Sequence, residues 1–252
     1  MSKISRRKMI VTGLGATVGV AGLGVAARLA RKYGLVPPDD GGIYGPGETL
    51  TYASMRLLTR HSMAREFSRS QISQRPLANE IAPFGEEFKR HMAARFVDWR
   101  LVVDGMVDKP ASFSVDQLKT YPSHTQITET VCEEGWSYVA EWDGVQLSHI
   151  LNLVGAHPQA KYVFYFSIEP DWWDSVDMAD AMHPQTFITY GMNGDNLPVG
   201  YGGPLRLKVP RQLGYKSVKF VNRLIVSDDA KKFGKGLGSI SPEQGYAWYA
   251  GI

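Results

Sequence analysis

One cysteine, Cys132, ends a β-like run, Thr128 to Val131, and is followed by Glu133-Glu134-Gly135-Trp136-Ser137. A lone thiol excludes an internal disulfide, a multi-cysteine zinc or iron–sulfur site and C-x-x-C-H haem attachment. Two readings remain: a small buried hydrophobe, or a soft thiolate ligand placed where strands end and sites are built. A second pair of interest is Arg206 and Lys208, interleaved with Leu205, Leu207 and Val209. In a strand this alternation puts both basic groups on one face. That face is either solvated or an anion grip, a task for which the planar guanidinium is well shaped. The six histidines show no H-x-x-x-H spacing, which disfavours a zinc enzyme, and no glycine-rich nucleotide fingerprint joins a strand to a helix.

Turn-formers between residues 31 and 50 predict a linker, and helical spacing follows at about Tyr52 to Arg60 and Gly85 to Arg95. From Trp99 the pattern changes. Strands are predicted at Arg100 to Val103, Gln126 to Val131, Lys161 to Ile168, Thr186 to Met192, Leu205 to Val209 and Phe220 to Val226. Short helices are predicted at Val115 to Thr120 and Leu147 to Val154, with turns at Asp104-Gly105 and Asp143-Gly144. Strands mixed with short helices and no long βαβ crossovers indicate an α+β domain with a mixed β-sheet.

The first thirty residues belong to another category. Ser5-Arg6-Arg7-Lys8 precedes a stretch from Met9 to Ala27 that carries no charge and is rich in glycine. This fits a twin-arginine export signal, with retention as an uncleaved membrane anchor as the alternative outcome. The chain therefore divides into residues 1–30, signal or anchor; 31–95, linker and helical extension; and 96–252, the main domain. A net charge of +3 with 44% hydrophobic and 21% charged residues offers no case for nucleic-acid binding.

The run Thr130-Val131-Cys132-Glu133-Glu134-Gly135-Trp136-Ser137, with Trp142-Asp143-Gly144-Val145-Gln146-Leu147 after it, resembles the C-x-E-x-W-S…W-x-G-x-x-L signature of the sulfite-oxidase superfamily. Four further blocks agree in order: Trp99 to Gly105 with Pro110, Asp180 to Pro184, Gly191 to Pro198, and Gly202 to Lys219. The similarity is greatest to the branch of periplasmic methionine-sulfoxide reductase catalytic subunits.

The resemblance implies a molybdopterin-binding domain of the sulfite-oxidase type, with molybdenum-molybdopterin as cofactor and Cys132 as the protein ligand to the metal. Arg206, Ser217, Val218 and Lys219 would hold the pterin phosphate. Ser167 falls where the family has a pterin-contacting Thr. Tyr201 takes the position of an Asn in the reductases and a His in the sulfite oxidases, a departure that weakens assignment to either branch. Arg75 and Asn79 are upstream cofactor contacts in this reading. Glu134 and Tyr246 are candidate catalytic groups, the first against a plain surface acid, the second against a hydrophobic C-terminal clasp. The activity implied is two-electron oxygen-atom transfer, reduction of an S-oxide-type substrate, small or protein-bound. Electrons would come from a separate haem partner, membrane-bound or soluble. Oxidation of sulfite and a cofactor-free exported binding domain on the same scaffold are the alternatives.

Overall fold

The computed structural model describes residues 28–252 except Ile43, Glu80, Ile81 and Phe84. The predicted export signal thus lies almost wholly outside the described residues. No helix among the described residues is long and apolar enough to cross a membrane.

Two five-stranded sheets enclose the core. The first runs β2 (Ala111–Ser114), β1 (Arg100–Gly105), β10 (Val221–Ser227), β5 (Tyr162–Ser167), β6 (Trp173–Asp177). In it β1 and β10 pair in parallel and every other pair is antiparallel, so the sheet is mixed. The second runs β3 (Ser123–Val131), β4 (Ser137–Gln146), β7 (Phe187–Met192), β8 (Asp195–Asn196), with β9 (Arg206–Lys208) on the other side of β7. The helices are short: α1 (Gly45–Leu58), α2 (Glu86–Ala93), α3 (Val115–Thr120), α4 (Leu147–Leu153), α5 (Met178–Ala181) and α6 (Ile240–Glu243). This is the α+β class with mixed sheet that the residue pattern predicts.

Alternation sets the inward faces. Leu101 and Val103 of β1 and Leu224 of β10 point into one apolar cluster with Val145, Leu147, Ile150, Ile188 and Leu207 from the other sheet and α4. A capping box starts α3: Ser114 Oγ accepts from the Gln117 amide at 3.1 Å while Gln117 Oε1 accepts from the Ser114 amide at 2.8 Å.

Two expectations need correction. The turn predicted at Asp143-Gly144 is the middle of β4, at a register shift against β7. Glycine is there for close approach: a Cβ at 144 would collide with the Ile188 carbonyl and stand 2.7 Å from the Phe187 ring. Asp104-Gly105, by contrast, does stand where β1 ends and the chain reverses toward β2, with Gly105 at φ 91° where a Cβ would meet the Val226 backbone. Finally, the predicted linker over 31–50 is ordered into the fold. Gly45-Pro46 begins α1, since proline in the first turn forfeits no helical hydrogen bond, and the buried Asp39 carboxylate accepts from the Trp248 amide at 2.8 Å.

Candidate active site

The inner face of β3 is polar: Gln126, Thr128 and Thr130 are all buried. That face leads to the strand's end, where the chain turns through Cys132 to Gly135 and re-enters as β4. The Cys132 amide donates to the Trp136 carbonyl at 2.8 Å, and Gly135 takes the positive φ (89°) that the tight return requires. Cys132 is 6% exposed. Burial, then the neighbouring Glu133 and Glu134 carboxylates, push its thiol up to about 11 against a lowering hydrogen bond from the Glu134 backbone. The thiol is therefore protonated at neutral pH, and a metal binding there would displace that proton.

Across from this turn lies β9. Its two cations share one face as predicted, but that face is buried, not solvated: Lys208 is 1% exposed. Both lie over the Trp142 ring, Lys208 Nζ at 4.7 Å and the Arg206 guanidinium at 5.7 Å from its centroid. Lys208 Nζ donates to Thr130 Oγ1. Arg206 donates to two carbonyls, Ser217 at 2.8 Å and Tyr201 at 3.1 Å.

The loop after β9 closes the arrangement. Gly214 comes so near the end of β3 that a Cβ on it would stand 3.1 Å from the Val131 carbonyl and 3.7 Å from Cys132 Cα. Buried Lys216 pairs with Asp174 and donates to the Ser175 carbonyl at 2.8 Å, which fixes the start of the Ser217-Val218-Lys219 run. A strap, residues 77–79, crosses the opposite side. It is held by Tyr201 Oη, which donates to the Pro76 carbonyl at 2.7 Å, and by Lys219 Nζ, which donates to the Asn79 carbonyl.

These parts surround one narrow cleft of about 120 Å³, smaller than the roughly 300–1,000 Å³ usual for small-molecule sites. Its wall includes Cys132, Arg206, Ser217, Val218, Lys219, Tyr201 and Asn79, so seven of the residues singled out in the sequence meet there. The others do not line it. Ser167 is buried, with its hydroxyl accepting from the Glu169 amide at 3.1 Å, and Glu169 is the residue that reaches the wall. Arg75 is exposed and outside it. Tyr246 is 46% exposed and packs behind Tyr215, ring centroids 5.5 Å apart; Tyr215, anchored by its hydroxyl to the Ala247 carbonyl at 2.7 Å, occupies the wall instead. Glu134 lines an adjoining groove, its carboxylate 3.8 Å from Cys132 Sγ and accepting from Trp136 Nε1 at 2.8 Å.

Sequence reasoning passed over Glu133, Thr130 and Tyr215. Glu133 lines the cleft and accepts the Cys132 thiol at 3.4 Å. Thr130 had a signal available in the alternation Gln126, Thr128, Thr130, which marks a strand with a buried polar face.

The residues fit a phosphate-bearing ligand that also presents a metal. A soft sulfur donor faces the cleft, and Arg206, 5% exposed, points its cation at backbone carbonyls, with no carboxylate partner among the described residues. The Trp142 indole N–H is buried and has no acceptor among the described residues.

The fold and this cleft are those of a molybdopterin-binding oxidoreductase domain. The family model for the oxidoreductase molybdopterin binding domain matches residues 89–233, and the chain belongs to that family. Over 170 residues the chain is 38% identical to a protein of Azospira oryzae named provisionally as protein-methionine-sulfoxide reductase subunit YedZ1. That alignment covers 68% of this chain and 62% of the relative, so the chain spans less than two thirds of the relative's length. Among solved structures, the sulfane dehydrogenase SoxCD from Paracoccus pantotrophus superposes with a TM-score of 0.51 at 23% identity, covering 68% of this chain and 46% of that one. The likeness to SoxCD is one of fold.

Proposed function

We propose that this chain is an exported molybdenum oxidoreductase that removes oxygen from an S-oxide-type substrate with electrons supplied by a separate haem protein. The observation that carries the reading is the meeting of Cys132 with Arg206 and the Ser217-Val218-Lys219 loop in one cleft. Bound there, the molybdenum-molybdopterin group would supply two-electron redox chemistry at a metal. The protein's own residues do the rest. Cys132 would hold the metal, and Arg206, Lys219 and the amides of Ser217 and Val218 would hold the pterin phosphate, with Tyr201 and Asn79 on the flanking wall. The overall reaction is sulfoxide plus two electrons and two protons to sulfide plus water. Glu133 and Glu134 stand beside the thiol where protons would be passed, Glu134 oriented by Trp136. Tyr246 would act from outside, by backing Tyr215.

Export by the twin-arginine route, with the uncharged Met9 to Ala27 segment kept as an anchor, accords with the sequence and with a protein that folds around its cofactor before transport. The name of the Azospira relative, a reductase subunit, supports a sulfoxide substrate and a separate electron partner.

The test is metal analysis and turnover of the full chain produced in a molybdopterin-making host. Wild type is expected to carry about one molybdenum per chain and, once reduced, to be reoxidised by a methionine sulfoxide, while Cys132→Ser folds but loses the metal. Equal metal in both proteins would sink the assignment of Cys132. Reduction of an acceptor by sulfite, without reoxidation by sulfoxides, would replace the reductase reading with the oxidase one.

A further inference from the structure

Helix α1 buries one side against the domain through Gly45, Tyr52 and Arg56. On the opposite side, where a soluble helix carries charge, it presents three leucines: Leu50 at 70%, Leu57 at 69% and Leu58 at 81% exposure. Positions 50, 57 and 58 fall on one face at helical spacing. Two tyrosines are exposed nearby along the chain, both about two-thirds: Tyr44 immediately before the helix and Tyr33, which shares a groove with Leu57. Large apolar side chains exposed together on one helix face mark an interaction site.

The surroundings indicate what covers it. Tyr33, Gly34 and Leu35 line a groove together with Leu57, Arg60 and Lys161, so the segment where the described chain begins lies beside the leucine face. Immediately upstream, Met9 to Ala27 carries no charge, and the first described residues include Arg28, Arg31 and Lys32, all exposed. Arg60 and Lys161 are exposed as well. An apolar stripe with tyrosines at its margin and a basic rim is the composition of a helix lying in the interface of an anionic bilayer, with basic side chains reaching the headgroups.

We infer that the outer face of α1 docks on the surface of an anionic lipid bilayer, with Leu50, Leu57 and Leu58 inserted at the acyl boundary and Lys32, Arg60 and Lys161 on the headgroups. The inference rests on the anchor-retaining form of the export reading: a tether ending near residue 28 delivers this face, and not another, to the membrane. The domain is then held in one orientation, not free to swing on its anchor.

The test places a bimane label at Leu57→Cys or, as a control on another helix, at Leu153→Cys, which is 44% exposed. Cys132 is buried, and labelling of the wild type sets the background. The full-length chains are reconstituted into phosphatidylglycerol-containing vesicles with brominated acyl chains. Fluorescence at position 57 is expected to fall at least twofold relative to unbrominated vesicles while position 153 is unchanged. The triple variant Leu50→Asp/Leu58→Asp/Leu57→Cys should keep its thermal midpoint and lose the quenching. A chain that sediments with vesicles but shows equal signals at 57 and 153 would overturn the docking and leave the anchor standing. A chain that stays in solution would overturn both. Shielding of position 57 in detergent-free buffer without lipid would overturn it too, and assign the face to residues 1–27 or to a second copy.

Discussion

Arg56 of α1 and Asp180 of α5 form a buried two-point ion pair, Nη1 to Oδ1 at 3.1 Å and Nη2 to Oδ2 at 2.7 Å. Asp180 also accepts from Arg211 at 3.0 Å and Gln212 at 2.5 Å, and Arg56 reaches Asp177 at 2.7 Å. The N-terminal helix is thereby bolted to β6 and α5 and, through Asp180, to Arg211 and Gln212 in the segment that follows β9.

Asp180→Asn is expected to destabilise strongly, because it leaves two buried guanidinium groups short of their counter-charge. Breaking such a pair costs about 3–5 kcal/mol, a fall of roughly 10 °C in thermal midpoint at this size. The loss should depend on pH. Burial raises the Asp180 carboxyl, but Arg56, Arg211 and Gln212 more than offset this and hold it below the usual aspartate value. A group with a lowered folded pKa contributes its stability above the unfolded value, near 3.8, and loses it as pH falls through the folded one. The gap between wild type and variant should thus be full at pH 6 and narrow below about pH 4. Calorimetry across that range checks it; a gap that widens with acid would refute it.

Lys208→Met tests the opposite case. Burial, and then Arg206, push the Lys208 ammonium well down from its ordinary range. The unfolded chain binds that proton more readily, so in neutral solution the lysine costs stability that returns as pH approaches about 10. The methionine variant of the cofactor-free protein is expected to melt higher at pH 7, by an amount on the order of 1–4 kcal/mol. This advantage should shrink at pH 10. A variant less stable than wild type at pH 7 would mean that Lys208 earns its place through Thr130 and Trp142.

How much of this was legible beforehand depends on what each residue is buried with. β1 follows from alternation, and β5 and β10 follow from their runs of β-branched, aromatic and leucine side chains. β6, with Asp174 and Ser175 buried, does not, because its inward groups are satisfied by partners far along the chain: Lys216, Ser241 and the Gly238 carbonyl. β4 was lost to Asp143-Gly144, a turn signal that in fact relieves a collision between strands. In the site, Cys132, Arg206 and the Lys219 loop were found through ordered motifs. Tyr246 was misplaced by one layer, since nothing local distinguishes it from Tyr215.

Gly144→Ala should show that strand contact directly. A methyl group there meets the Ile188 carbonyl and the Phe187 ring, and overpacking of this kind costs about 1–3 kcal/mol. Urea unfolding is the measure, and a midpoint equal to wild type would show that β4 and β7 can separate freely.

Glu133→Gln and Glu134→Gln separate the two acids. If both bear on proton delivery, each should lower kcat by about 10²-fold or more while molybdenum content stays at the wild-type level. Loss in the Glu134 variant alone would assign delivery to the residue that Trp136 orients; unchanged kcat in both would remove the pair from the chemistry.

The strap over the cleft is tied by hydrogen bonds between residues 125 and 140 positions apart, Tyr201 to Pro76 and Lys219 to Asn79. Ties that distant form only once the intervening strands have assembled. A half-finished polypeptide can offer a sulfur atom, but it has no complete receptacle, so capture of a ligand there certifies that maturation has run to its end.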